Sequence, residues 1–84
     1  MKNIISINSL VDVTSLGFAQ NMYMYPRRII FDGLSHNFVD EGLHVTIQNG
    51  SQLVDLLTMS DGARQYHLRS DNHGGSWILL SITR

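Results

Sequence analysis

The chain has 84 residues, 43% of them hydrophobic and only 15% charged, with six Lys/Arg against seven Asp/Glu for a formal net charge of −1; soluble domains usually carry about 25% charged residues. That length excludes a two-domain enzyme or a full dinucleotide fold. The low charge and its even balance exclude a disordered charged chain and a nucleic-acid binder that works by bulk charge.

The N-terminal quarter is apolar. Residues 1–25 hold only Lys2 and Asp12 of the charged side chains. Pro26 follows and biases Tyr25 toward an extended backbone. The chain is therefore read as one domain, an apolar N-terminal segment (1–25) leading without a linker into a β body (26–84). Ser9 as N-cap, Asp12 in a first turn, a stripe of Ile7, Leu10, Val11 and Leu16, and Gly17 as a stop predict one short helix. The β-branched Val11, Val13 and Thr14 oppose it, and a strand over residues 3–7 competes. Lys2 before Ile4, Ile5 and Ile7 is faintly signal-like, but Asn3, Ser6, Asn8 and Asp12 interrupt it and no clear cleavage site follows. No apolar run approaches the length of a membrane span. The expectation is a soluble cytoplasmic chain with no membrane partner.

The body reads as short strands between turn dipeptides. Residues 27–32 (RRIIFD) end at Asp32-Gly33, and residues 35–40 (SHNFVD) end at Glu41-Gly42. Residues 43–48 (LHVTIQ) alternate strictly, with Leu43, Val45 and Ile47 on one face and His44, Thr46 and Gln48 on the other. Asn49-Gly50 predicts a type I′ hairpin turn. Residues 53–59 (LVDLLTM) return, and Asp61-Gly62 predicts a second such turn. Residues 64–70 (RQYHLRS) place Tyr66 and Leu68 together. The loop of residues 71–75 leads into residues 77–82 (WILLSI). Such spacing marks a meander, sandwich or small barrel. The expected fold is mainly β, a five- to six-stranded antiparallel meander curling into a small barrel or curved sheet, with the N-terminal segment packed on it. In the last strand Ile78, Leu80 and Ile82 oppose Trp77 and Leu79, and in the fourth Leu53 and Leu57 oppose Val54 and Leu56. Strands apolar on both faces must be covered on both. The second cover is then the N-terminal segment or a second copy of the protein.

Catalytic chemistry finds little support. His36, His44, His67 and His73 form no HxH, HExxH or HxxxH pattern, and alternation makes His44 and His67 solvent-facing imidazoles. No metal site is expected. There is no cysteine for a thiol nucleophile or thiolate ligand. No GxSxG elbow or oxyanion hole supports a Ser–His–Asp triad. Asp40-Glu41 precede Gly42 as turn residues, and Gly74-Gly75 lack the GK[ST] of a phosphate loop. No cofactor and no enzymatic activity are expected.

Two features suit a contact surface. Phe18, Met22, Tyr23, Met24 and Tyr25 form an adaptable aromatic and methionine run that ends at Arg27 and Arg28. Trp77 and Leu79 lie on the second apolar face of the last strand. The plainer reading has these residues cap their own sheet. The first function expected is a small non-enzymatic protein-interaction module that self-associates, scaffolds, or inhibits a partner by occlusion. The alternative is a single-stranded nucleic-acid-binding barrel using Arg64, Arg69, Tyr66 and Trp77. A small-ligand or enzymatic pocket built on the histidines is the third.

Overall fold

The structure, a computed structural model, describes residues 3–19, 24–71 and 76–84. Eight strands form two antiparallel sheets: β1 (Ile4–Leu10), β2 (Asp12–Phe18), β3 (Met24–Phe31), β4 (Leu34–Asn37), β5 (Leu43–Asn49), β6 (Gln52–Ser60), β7 (Gln65–Asp71) and β8 (Ser76–Thr83). The larger sheet has the order β1-β8-β7-β6-β5, and the smaller has β2-β3-β4. The meander is present in the larger sheet, but it does not close into a barrel, because neither β4 nor β5 has a second neighbour in its sheet.

The expected N-terminal helix is absent among the described residues. Residues 4–18 form β1 and β2, as their β-branched content favours. The segment is not a separate cover, although Ile7, Val11 and Val13 pack against the core. It joins both sheets edgewise, β1 beside β8 and β2 beside β3. Between Ser6 and Ser9 the β1 register slips, and Asn8 sits at φ 53°, so a bulge bends the strand before the chain changes sheets. Val11 completes the crossing by donating its N–H to the Trp77 carbonyl at 3.1 Å. Gly17, expected as a helix stop, instead lies in β2 opposite Tyr25, whose ring and the Arg27 side chain occupy the space a Cβ would need.

Pro26 does not begin a new segment; it is buried inside β3. A proline in a central strand forfeits a ladder bond. Here β4 ends at Asn37, opposite Arg28, and β2 shifts register between Ser15 and Leu16, so the missing donor falls where the ladder is already broken.

The turns differ from expectation in a specific way. Asp32 and Gly33, at φ 55° and 76°, join Phe31 to Leu34 with the two positive φ values of a type I′ turn. At the Asn49-Gly50 signal, Asn49 pairs with Gln52 and only Gly50 has positive φ, so the turn is Gly50-Ser51 with the type II′ pattern. Asp61-Gly62 belongs to a wider loop closed by the Ser60–Gln65 pair. The Asp61 carboxylate there accepts the N–H groups of Ala63 (2.9 Å) and Arg64 (2.8 Å).

The sheets meet through Ile29 and Phe38 on one side and Leu57, Met59, Tyr66, Leu68, Leu79 and Ile82 on the other. Tyr66 and Leu68 share a buried face as their alternation predicts. Strict alternation would part Leu79 from Ile82. A register shift opposite His67 and Leu68 instead leaves Leu80 without a partner and returns both residues to the core. After β4 the chain crosses to the larger sheet, where Val39 N–H donates to the Ser60 carbonyl at 2.9 Å.

Gly42 sits in that crossing at φ 66°, and a Cβ there would strike the Thr58 carbonyl and the Met59 sulfur; Gly33 has similar φ and open space around it. Gly33→Ala should cost about 1 kcal/mol of left-handed strain, and Gly42→Ala distinctly more because packing fails as well. Denaturant unfolding of the two variants checks this; equal losses would show that Gly42 is not closely packed.

Candidate interaction surface

Residues directly opposite in an antiparallel pair project to the same side of the sheet. His44 is paired with Leu57, and Thr46 with Asp55, so the polar face of β5 points to the core side. Leu43, Val45 and Ile47 point away from it and are 72%, 56% and 45% exposed. The expected alternation is present, but His44 is not a solvent-facing imidazole on an outer polar face: inside and outside are exchanged.

The reason lies on β6. Asp55 is 5% exposed, on the same face as Leu57 and Met59. A buried carboxylate requires donors. Thr46 Oγ1 donates to Asp55 Oδ1 at 2.8 Å, and His44 Nε2 donates to the same oxygen at 2.9 Å. The signal was present in the sequence: a two-residue turn between these strands places even-numbered β5 residues beside odd-numbered β6 residues. His44 therefore has a carboxylate neighbour that motif spacing along the chain does not reveal.

The outer face of the larger sheet follows from the register. One row runs Val45, Leu56, Arg69, Ile78, Leu10, and the next runs Ile47, Val54, Asp71, Ser76. Two apolar zones, on β5–β6 and on β8–β1, thus flank a polar stripe on β7 of His67, Arg69 and Asp71. Arg69 Nε lies 3.5 Å from Asp71 Oδ1, with side chains 40% and 50% exposed. His67 is held by Thr58 Oγ1 at 3.3 Å and Thr83 Oγ1 at 3.0 Å. No other described strand packs on this face, because the smaller sheet covers the opposite one.

The residues expected at a contact surface are dispersed. Phe18 and Met24 form an exposed cross-strand pair on the smaller sheet, 65% and 45% exposed. Tyr25 and Trp77 are half-buried against the core, and Leu79, fully buried, belongs to it. Arg27 and Arg28 are exposed on β3. Met22, Tyr23 and His73 lie outside the described residues. Of the nucleic-acid set, Tyr66 is 1% exposed, Arg64 sits in the β6–β7 loop, and Arg69 lies on the outer face, so the four side chains share no stacking platform.

The polar groups inside the molecule are structural in their connections. Tyr66 Oη donates to Asp61 Oδ2 at 2.8 Å, which leaves its oxygen to accept from His36 Nδ1 at 3.0 Å. His36 Nδ1 is therefore the donor in that bond. Burial, then the Asp61 hydrogen bond and charge, push the Tyr66 phenol up to about 12. Burial alone would raise the Asp61 carboxyl, but the Ala63 and Arg64 N–H groups, the Tyr66 hydroxyl and the Arg64 charge together hold it below its ordinary value. Among the described residues no three His, Asp or Glu side chains converge as metal ligands, and no helix is long and apolar enough to cross a membrane.

No protein-family model, curated protein or solved structure matches this chain.

The Tyr66 bond gives a pH dependence with a definite sign. A phenol whose folded value is about 12 against 10.0 unfolded contributes stability that is complete below pH 10.0 and lost as pH rises toward 12. Tyr66→Phe should lower stability at neutral pH by roughly 1–3 kcal/mol, through loss of a hydrogen bond to a carboxylate. It should also flatten the alkaline decline. Chemical unfolding at neutral and alkaline pH reads both effects, and an unchanged alkaline slope in the variant would contradict the assignment to Tyr66.

Proposed function

We propose that this protein is a small non-enzymatic interaction module that lays the outer face of its larger sheet against a protein surface, as a self-associating unit, a scaffold, or an inhibitor that occludes its partner. The observation that carries this reading is the orientation of β5. Its seven residues, LHVTIQN, contain no Lys, Arg, Asp, Glu or Pro, and it pairs with β6 without a bulge. Edge strands of free-standing domains are ordinarily blunted by charge, proline or a bulge. This one has none of these, and its aliphatic side chains face outward.

The apolar zone extends inward through Val54 and Leu56, so it is a contiguous patch and not a scatter of single residues. Contiguous exposed apolar patches on small domains mark association surfaces. The Arg69–Asp71 stripe beside it supplies polar groups of both signs, which suits a protein surface better than a polyanion.

A photoreactive side chain replacing Val45 tests the reading against one replacing Asn37, exposed on β4 of the smaller sheet. Purified protein and cells producing it are irradiated, and the adducts are identified by mass spectrometry. Position 45 should form defined protein–protein adducts and position 37 should not. Absence of adducts at position 45, or equal yields at the two, rules the proposal out.

A further inference from the structure

We infer that the occupant of the outer face is a second copy of this chain, docked face to face about a two-fold axis that crosses the strands at the level of Ser70. The inference rests on the interaction-module reading and names its partner.

The charges select this geometry. The β7 stripe holds one cation and one anion two residues apart, Arg69 and Asp71, both on the outer face and both about half exposed. A two-fold axis lying in the interface, perpendicular to the strands and midway between these residues, sets β7 antiparallel over β7 of the second copy. Arg69 then meets Asp71 of the second copy, and the reverse contact forms by symmetry. The same operation returns the β5–β6 zone onto itself, with Val45 against Ile47 and Leu56 against Val54 of the second copy. An in-plane axis that runs along β7, parallel to the strands, places Arg69 on Arg69 and is opposed by like charge.

The overlap is modest. A two-fold at the level of Ser70 superposes β5 and most of β6 on themselves, but only the last residues of β7, the first of β8 and the end of β1. With strands about 4.8 Å apart and a rise of about 3.3 Å per residue, this is about 330 Å² per copy. Two copies bury roughly 660 Å², the size of a weak, reversible contact. An edge-to-edge dimer through β5 would join two uncovered faces into a wider one and cover neither.

Sedimentation of the full chain from micromolar to millimolar concentration should show a monomer–dimer equilibrium. Val45→Glu should raise the dimer Kd at least about tenfold, with unchanged far-UV circular dichroism as the check on folding. The sharper test uses opposite charge reversals. Arg69→Asp and Asp71→Arg should each weaken self-association at least about tenfold, because each sets like charges in both symmetric contacts. Mixed together, the two variants should form a heterodimer as tight as the wild-type dimer, since both contacts then pair opposite charges. Loss of an ion pair within one chain predicts no such rescue. A wild-type monomer throughout the range overturns the inference. So does a dimer indifferent to the reversals, as edge pairing through β5 would be. Adducts at position 45 with other proteins alone overturn the second copy while leaving the interaction module standing; no adducts at all overturn both.

Discussion

The buried carboxylate of Asp55 sets the orientation of everything around it. A carboxyl group in a protein interior is tolerated only when hydrogen-bond partners replace its water. The donors come from β5, Thr46 directly across the ladder and His44 on the diagonal. A strand has a side-chain period of two, so turning these residues inward turns Leu43, Val45 and Ile47 outward. Replacing the Asp55 interaction by apolar packing would remove the reason for that orientation and free β5 to bury its aliphatic face. The uncovered surface is therefore a consequence of one polar contact inside the molecule.

A second polar group ties the layers together. Tyr66 rises from the middle strand of the larger sheet, packs against Phe38 at a ring distance of 5.2 Å and accepts from His36, which belongs to β4 of the smaller sheet. Its own proton goes to Asp61 in the β6–β7 loop. One side chain thus connects both sheets and a loop, through apolar contact on its ring and hydrogen bonds at its tip, as buried tyrosines characteristically do. The crossing beyond β4, with Phe38 donating its N–H to the Arg27 carbonyl and Val39 bonding Ser60, holds the smaller sheet over that ring.

The six strands of the body were legible because alternation and turn residues are local signals. The N-terminal strands were not, because their partners are remote: β1 is held by β8, at the other end of the chain. Ser9, Asp12 and Gly17 fit a helix only while that pairing is unknown, and the β-branched residues between them were the better guide. Faces were legible in part. Parity across the β5–β6 turn already grouped His44 and Thr46 with Asp55 and Leu57, but alternation cannot say which group meets the core. The apolarity of Leu43, Val45 and Ile47 argued for burial, and nothing local showed that they lie on the face the smaller sheet does not cover. The candidate residues 18–28 were chosen by composition, which does not distinguish Phe18, exposed, from Tyr25, packed over Gly17.

Size explains why such a face persists. A chain of 84 residues buries a smaller fraction of its surface than a larger domain does, and it has no disulfide to restrict its unfolded state. Covering the outer sheet internally would take a third layer, and the described strands form two. A layer contributed by association would remove apolar area from water, and anything that binds the folded state alone stabilises it by mass action. Low charge, which at first looks like a property of composition, then has a place in the structure. Residues 4–18, with Asp12 as their one charged residue, form an edge strand of each sheet, and the uncharged β5 forms the other edge of the larger one.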